Sequence, residues 1–301
     1  MKRFLLPILL VLPCLIAVMF LAPLRAFNAL VPFDAGSVRV ASGLAYGREP
    51  RQTLDIYEPA AAQGQLPIIV FCYGGGWSSG DRAGYAFAGR ALASRGFLTI
   101  VFDYRLVPDV AFPAFVEDTA VAIAWAARHG ADYGGDASRI FLVGHSAGAY
   151  NVAMAALDDR YLGRFGTSAR IVGGVATLAG PFNFLPLDDS SAIAAFSAWP
   201  DLAETQPVNR VTAQAPPFLL LTGNSDRTVN PRNSRSLARR LAAAGVAVEL
   251  KEYPGIGHVG VLLALARPLR WRASVLDDIE AFFKNLQTDP GSHPSPDRSE
   301  R

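Results

Sequence analysis

The sequence predicts an α/β protein with a mostly parallel central sheet and helices on both of its faces. Runs rich in β-branched residues alternate with helical patterns along most of the chain, and this alternation is typical of parallel sheets. Some runs, such as "LPIIVFCY" at 66–73, are almost wholly apolar, as in strands that are buried on both faces. Because 51% of the 301 residues are hydrophobic, the chain can build one large core.

The first element is an apolar N-terminal segment. Lys2 and Arg3 precede the uncharged run 4–24, which has about the length of a bilayer-spanning helix. The next residues, "RAFNAL", offer no small-x-small cleavage site. We therefore expect residues 1–26 to be a membrane anchor, with a cleaved signal segment as the alternative. The basic terminus places the rest of the chain on the extracytoplasmic side, and cleavage of the leader would make it an exported protein.

Eight strands are predicted in one domain at residues 38–287. The first two are predicted to form a β-hairpin. The other six are short runs that are typical of strands in a parallel sheet. In chain order the predicted strands are 38–47, 52–59, 66–73, 97–103, 139–144, 171–180, 216–223 and 246–253.

Helical patterns with recognisable ends lie between these strands. Val116, Ala120, Ile123 and Ala127 keep helical spacing, and Gly130 is placed to adopt the left-handed conformation after this helix.

The C-terminal part of the domain has two further helical patterns. Asn230 is a predicted N-cap with Pro231 at the first helical position, and Gly245 ends this helix. A last helix covers 274–286. Residues 288–301 are polar and contain Pro, Ser and Asp, which predicts a disordered tail.

Charge and cysteine content argue against several classes of protein. The formal net charge is +2 and the charged residues are scattered, so we expect no nucleic-acid partner. Cys14 lies in the leader and Cys72 in an apolar run. Neither has the spacing of a metal site, and no intrachain disulfide is expected. We expect no metal and no cofactor, and nothing in the sequence indicates an oligomeric state.

Ser146 lies in a pattern that is typical of a catalytic nucleophile. Gly144-His145-Ser146-Ala147-Gly148 fits G-x-S-x-G and stands directly between a buried strand and a helical pattern. Side chains two residues either side of the serine would meet the neighbouring strand and helix, so glycine is needed there. The start of the helix also favours a developing oxyanion. A glycine-rich helix start without catalytic function is the alternative.

His258 is the predicted base that activates this serine. The chain has four histidines. His145 lies inside the turn and cannot reach its neighbour's oxygen, His129 ends a helix, and His293 lies in the tail. His258 follows the last strand in the glycine-rich stretch "YPGIGHVG", and such a loop can bring an imidazole over the carboxyl edge of the sheet. A hydrogen-bonded loop histidine is the alternative.

Asp226 is the predicted acid that orients the base. It stands in "LLLTGNSDRTVNP", after a buried strand and before a capped helix, and so at the same edge of the sheet as the serine and the histidine. Glu252, Asp188 and Asp189 are rival carboxylates, and capping of its own turn is the alternative function of Asp226.

Three consecutive glycines follow the strand at 66–73. We expect the N–H groups of Gly75, Gly76 and Ala147 to form an oxyanion hole, where loss of one donor costs on the order of 10²–10³ in rate. A phosphate-binding loop is disfavoured because no G-x-G-x-x-G or G-K-[ST] pattern follows. Turn flexibility alone is the alternative.

Over residues 38–286 these motifs resemble the esterase/lipase branch of the α/β-hydrolase superfamily, in which the triad order is serine, acid, histidine. The chain is similar to bacterial carboxylesterases related to hormone-sensitive lipase and to kynurenine formamidases, which share a His-Gly-Gly-x-Trp loop. The stretches 103–126 and "GHSAGAYNVAMAALD" match as well. The resemblance implies that Asp103 and Arg105 support loops near the nucleophile. Tyr73 departs from the pattern, because it replaces a histidine that organises the loop.

The resemblance implies a serine hydrolase that cleaves carboxylic esters through an acyl-enzyme, with a small-molecule ester as substrate. This fold usually inserts a cap where residues 181–215 lie, and the short insertion favours short to medium acyl chains. Trp77, Phe182, Phe184 and Trp199 are expected to form the wall of an acyl pocket. The alternative is that these aromatic residues pack the cap onto the body.

Two other functions stay open. An amidase of the arylformamidase type is favoured by the tryptophan of the glycine loop and disfavoured by the predicted export. A non-catalytic binding module held at the membrane is disfavoured because candidates for all three catalytic side chains are present.

Overall fold

The structure is a computed structural model and describes residues 23–288. In this part of the chain, eight strands form one sheet with the order β1-β2-β4-β3-β5-β6-β7-β8. The strands are β1 Ser37–Ala45, β2 Thr53–Pro59, β3 Leu66–Cys72, β4 Leu98–Phe102, β5 Gly135–His145, β6 Val172–Leu178, β7 Phe218–Gly223 and β8 Val248–Tyr253. Every predicted strand overlaps one of these.

The sheet is mostly parallel. β1 and β2 pair as an antiparallel hairpin, and β2 is antiparallel to β4. The other five pairings, from β4 and β3 to β7 and β8, are parallel. The inner strands β4 and β7 are buried at every residue, as expected of strands covered on both faces. This is the α/β-hydrolase fold that the sequence predicted.

Nine α-helices occur between residues 23 and 288. They are α1 Pro23–Leu30, α2 Ala86–Ala93, α3 Ala114–His129, α4 Ala147–Leu157, α5 Asp159–Gly163, α6 Ser190–Phe196, α7 Arg232–Ala243, α8 His258–Leu263 and α9 Val275–Thr288. The predicted helices correspond to α3, α4, α7 and α9.

The helix ends agree with the prediction at α7 and differ at α3. The side chain of Asn230 accepts a hydrogen bond from the N–H of Arg232 at 2.9 Å, and Gly245 has a left-handed φ of 76°. The prediction for Gly130 was wrong, because its φ is −58° and α3 continues there into a 3₁₀ turn. The left-handed residue is Gly134, at φ 80°.

Both predicted terminal segments lie largely outside the described residues. Residues 1–22 of the predicted leader and 289–301 of the predicted tail are not described. The end of the leader, from Pro23, forms the start of α1. Between residues 23 and 288, no helix combines the length and the hydropathy of a bilayer span.

The segment between β6 and β7 contains the predicted cap, residues 181–215. Its regular structure is the seven-residue helix α6 and the 3₁₀ turns Leu202–Thr205 and Pro207–Asn209. Hydrogen bonds tie it to the body, among them two from the N–H groups of Phe182 and Asn183 to Asn233 Oδ1, which accepts at 2.9 and 2.8 Å. The Phe112 N–H donates to the Ala195 carbonyl at 2.9 Å, and the Tyr150 hydroxyl donates to the Thr205 carbonyl at 2.8 Å.

Candidate active site

Ser146 stands on a sharp corner between β5 and α4. Its φ of 54° and ψ of −121° are strained for a residue with a side chain. A Cβ on Gly144 would lie 2.4 Å from the Gly148 carbonyl oxygen, and a Cβ on Gly148 would lie 2.1 Å from the Cys72 carbonyl oxygen. Both distances are too short for any side chain, so the glycines permit the tight turn that the sequence predicted.

His258 contacts Ser146 directly. Its Nε2 atom lies 2.8 Å from Ser146 Oγ, and 11% of the histidine side chain is exposed. The sequence placed His258 in a loop, whereas it is the first residue of α8. The reason is that the apolar residues after it form a turn of helix, with Val261 and Leu262 packed into the core.

Asp226 holds the other side of the imidazole. Its Oδ2 atom lies 2.8 Å from His258 Nδ1, and its side chain is fully buried, with 0% exposed. The second oxygen accepts hydrogen bonds from the N–H groups of Thr228 at 2.9 Å and Val229 at 2.8 Å. The carboxylate orientation is therefore fixed by the backbone of its own turn.

The rival carboxylates have other partners. Glu252 forms a bidentate ion pair with Arg235, with both distances at 2.6 Å, and this hydrogen bonding lowers the pKa of Glu252. Asp189 caps α6 by accepting from the N–H groups of Ser191 and Ala192. Asp188 is exposed on the edge of the cavity.

The three predicted oxyanion donors line the same cavity as Ser146. Gly75 and Gly76 have φ values of 137° and 59°, which favour glycine. Ala147 is the first residue of α4, where an N–H has no acceptor within the helix. Within residues 23–288, none of these three N–H groups donates to another backbone group, so all three are available to a ligand.

Tyr73, which replaces the histidine of the resembling enzymes, supports the glycine loop from below. Its ring stacks between Tyr85 and Tyr104, with ring centroids 5.3 and 4.8 Å away. Arg51 Nη2 donates to the Tyr73 hydroxyl at 2.8 Å and to the carbonyl of Gly80 at 3.0 Å. Tyr73 and Arg51 therefore hold both ends of the loop.

Asp103 and Arg105 have the structural contacts that the resemblance implied. Asp103 accepts from the Arg82 N–H at 2.7 Å and also pairs with its guanidinium. Arg105 pairs with Asp118, which is fully buried, at 2.7 and 3.0 Å. These ion pairs fasten the segment after β4 beneath the site.

His145, inside the elbow, is not a second base. Its ring centroid lies 5.1 Å from that of His258, and the residue is buried. Burial, and then repulsion by His258, lower the pKa of His145 from 6.5 to about 3. It is therefore neutral at the pH of any ordinary hydrolase assay.

A cavity of about 960 Å³ opens over Ser146. Trp77 and Phe184 line it, as the sequence predicted. Trp77 is only 4% exposed, because its ring packs against Tyr150 and Phe196 and its indole N–H donates to Asn151 Oδ1 at 3.1 Å.

Phe182 and Trp199 do not line this cavity, contrary to the prediction. The side chain of Phe182 is fully buried, and its ring lies over Gly180, where a Cβ would be 2.3 Å from it. Trp199 packs edge-on against Phe112, at 4.9 Å between ring centroids, and its N–H points to Glu204. Both side chains pack the insertion onto the body.

The cavity has one wall that sequence reasoning missed. Leu24 and Phe27, from α1, line it together with Val259, Leu262 and Leu263 of α8. The sequence assigned Leu24 to the leader and gave Phe27 no function. No group of three or more metal-ligating side chains occurs within residues 23–288.

The sheet order, the elbow and the hydrogen-bonded Ser-His-Asp arrangement define the class as α/β-hydrolase. Comparison with known proteins identifies the family. The BD-FAE family model matches residues 54–241, and the chain belongs to this family. The resemblance to the esterase/lipase branch is thereby confirmed, and the named relatives include carboxylesterase-type hydrolases.

Two named relatives illustrate the similarity. Carboxylesterase NlhH of Mycobacterium tuberculosis is 32% identical over 71% of this chain and 72% of its own length. Isoprenylcysteine α-carbonyl methylesterase ICME of Arabidopsis thaliana is 30% identical over 81% of this chain and 62% of its own. The chain spans between 55% and 67% of the length of the plant methylesterases that it matches.

Solved structures share the fold. Esterase B of Lactobacillus rhamnosus, inhibited by a tributyrin phosphonate, superposes with a TM-score of 0.77 at 23% identity, over 91% of this chain and 94% of that one. A truncated carbohydrate esterase from gut microbiota gives 0.75 at 22% identity, over 86% and 100%. At these identities the likeness concerns the fold.

Proposed function

We propose that the protein hydrolyses carboxylic esters through Ser146, His258 and Asp226. The observation that carries the proposal is the unbroken pair of 2.8 Å contacts from Ser146 Oγ to His258 and from His258 to Asp226. The buried carboxylate keeps the proton of the neutral imidazole on Nδ1, so that the lone pair of Nε2 faces the serine.

The reaction begins with attack of Ser146 on the ester carbonyl carbon. His258 Nε2 takes the hydroxyl proton as the Oγ–C bond forms, and the electron pair moves to the carbonyl oxygen. The N–H groups of Gly75, Gly76 and Ala147 bind that oxyanion. The imidazolium then gives its proton to the alcohol oxygen, and the C–O bond breaks to leave an acyl-enzyme.

Water completes the cycle by the same steps. His258 removes a proton from water as it attacks the acyl carbonyl, the oxyanion occupies the same three donors, and the proton returns to Ser146 as the acid leaves. Each step uses only groups of this chain and water.

The proposed substrates are esters with short to medium acyl chains. The insertion at 181–215 has a single short helix, so it does not cover the site with a large lid. The cavity of about 960 Å³ has room for more than an acetyl ester. The plant relatives are named for isoprenylcysteine methyl esters, and this class belongs among the test substrates.

The test is hydrolysis of p-nitrophenyl esters of increasing acyl length by purified wild type and Ser146→Ala. An isoprenylcysteine methyl ester and N-formylkynurenine complete the panel. We expect Ser146→Ala to lose at least about 10⁴-fold in kcat. Ser197→Ala is the matched control, because Ser197 is exposed on the cap and outside the cavity.

The alternatives predict other results. An arylformamidase would prefer N-formylkynurenine to every ester. A non-catalytic binding module would hydrolyse none of the panel and leave Ser146 unlabelled by a fluorophosphonate. Esterase activity that survives in Ser146→Ala would contradict the proposed mechanism.

We also propose that the predicted leader, up to the start of α1 at Pro23, holds the protein at a membrane with its catalytic domain on the extracytoplasmic side, or directs its export. The support is the apolar run 4–24 behind two basic residues. Fractionation of cells and protease treatment of intact spheroplasts test this, and a protease-resistant, cytosolic protein would contradict it.

A further inference from the structure

Helix α1 provides part of the lining of the catalytic cavity. Leu24 and Phe27 face the same space as Ser146 and His258. Their side chains are half-buried. α1 precedes the first strand of the sheet. This wall therefore comes from outside residues 38–287, the hydrolase domain that the sequence predicted.

α1 is fixed to the segment that follows the glycine loop. Arg25 Nε pairs with Asp81 Oδ2 at 2.7 Å, and the other oxygen of Asp81 caps a 3₁₀ turn through the N–H of Gly84. Asn28 Oδ1 accepts from the N–H of Phe87 at 2.8 Å. Two side-chain hydrogen bonds thus hold α1 at both of its ends.

Aromatic contacts connect the helix to the reactive centre. The Phe27 ring meets the Phe87 ring edge-on at 5.2 Å, and Phe87 stacks on Tyr85 at 6.4 Å. Tyr85 lines the cavity and donates from its hydroxyl to the carbonyl of Gly74 at 3.3 Å. The position of Phe27 is therefore fixed relative to the oxyanion loop.

The apolar walls of the cavity have two origins. Trp77 and Phe184 form one, and they pack with α4 and α6. Leu24 and Phe27 form the other, with further aliphatic side chains from α8. An ester has an acyl part and an alcohol part. An apolar chain on either part can pack against Leu24 and Phe27.

We propose that Leu24 and Phe27 are specificity-determining residues that bind an apolar chain of the substrate. The inference rests on the proposed esterase function and deepens it, because it assigns the substrate class: esters with an aliphatic chain of medium length. Such a pocket discriminates between substrates through the methylene groups that it buries, on the order of tenfold or more per well-packed group.

The test uses the full-length protein with Leu24→Ala, Phe27→Ala and the double variant. One substrate series is p-nitrophenyl acetate, butyrate, octanoate and dodecanoate, and the other is ethyl, butyl and octyl acetate. Leu30→Ala is the matched control, because Leu30 lies on the same helix, is 76% exposed and is outside the cavity.

We expect kcat/KM for the octanoyl or the octyl ester to fall by about tenfold or more in the double variant, with the acetyl and ethyl esters within about twofold. The series that responds identifies whether the acyl or the alcohol chain occupies this wall. Leu24→Trp, which fills the space, should move the preference to shorter chains. Leu30→Ala should keep the wild-type profile.

Equal loss for all chain lengths in both series, or an unchanged profile in the double variant, would overturn the inference. Labelling of Ser146 by a small fluorophosphonate at the wild-type rate establishes that each variant is folded. The esterase proposal fails separately, if Ser146→Ala stays active, whatever the chain-length profile of the α1 variants.

Discussion

The Nε2 atom of His258 lies 2.8 Å from the Oγ atom of Ser146, across 112 residues of chain. The fold provides this contact because both residues follow parallel strands whose carboxyl ends share one edge of the sheet. Ser146 follows β5 directly, and His258 starts α8 a few residues after β8. The chemistry therefore depends on sheet order as much as on the two side chains.

Asp226→Asn tests the orientation of the imidazole. An amide in place of Oδ2 favours the tautomer with its proton on Nε2, so that His258 can no longer accept the proton of Ser146. We expect kcat on p-nitrophenyl butyrate to fall by about 10⁴-fold without loss of fold, as judged by circular dichroism. Glu252→Gln is the control, since Glu252 pairs with Arg235. A larger loss of kcat in Glu252→Gln than in Asp226→Asn would mean that Glu252, and not Asp226, is the acid that orients His258.

Gly76→Ala tests the oxyanion hole. The backbone there has a φ of 59°, and an added Cβ would lie 2.9 Å from Ser191 Oγ. Either Ser191 or the glycine loop must shift, and the positive φ strains any residue with a Cβ. We therefore expect kcat to fall on the order of 10²-fold with a smaller change in KM. Gly64→Ala is matched in φ, at 66°, and has open space around its Cβ. Similar losses of kcat in both variants would show that Gly76 has no specific function in the oxyanion hole.

Tyr73→Phe tests the support of the glycine loop. It keeps the stacked ring but removes one of the acceptors of Arg51, whose guanidinium still donates to the carbonyls of Gly80 and Tyr104. Loss of this one hydrogen bond to a charged group costs about 1–3 kcal/mol in the free energy of unfolding. Urea denaturation measures this cost, and kcat should fall less than about tenfold because the loop is displaced slightly. An unchanged free energy of unfolding would mean that the hydroxyl contact at 2.8 Å contributes nothing.

His145 makes the stability depend on pH. Its pKa is about 3 in the folded protein against 6.5 ordinarily, so the unfolded chain binds a proton that the folded chain refuses between these values. The contribution is complete above about pH 6.5 and is lost as the pH falls toward 3, at up to about 1.4 kcal/mol per pH unit.

The comparison of wild type with His145→Gln isolates this contribution. We expect the free energy of unfolding of the wild type to fall more steeply between about pH 6 and pH 4 than that of the variant, by about 1 kcal/mol per pH unit. Parallel curves for the two proteins would show that the buried ring does not resist protonation.

The sheet and the placement of Ser146, Asp226 and His258 at one of its edges could be predicted from the sequence, for a physical reason. Buried strands have an apolar pattern at every position, and the elbow requires glycine at 144 and 148 because backbone lies within 2.4 Å of either Cβ. The candidates for base and acid were few, and their positions after strands fixed the edge of the sheet at which they lie.

The direction of side chains in irregular segments could not be predicted from the sequence. Phe182 and Trp199 were predicted to line the pocket, but no periodicity sets the direction of a side chain in a loop, and both turn toward the body. Leu24 was assigned to the leader, but it lines the cavity. An apolar run has the same pattern whether it contacts lipid or protein, so its contact with the cavity could not be predicted.

Mass spectrometry after treatment with a fluorophosphonate tests the central claim most directly. We predict one stoichiometric adduct on the peptide that contains Ser146, formed in step with the loss of esterase activity, and absent from His258→Gln because the hydroxyl is then not activated. Loss of activity with the adduct on another residue, or full labelling of Ser146 in His258→Gln, would contradict the account.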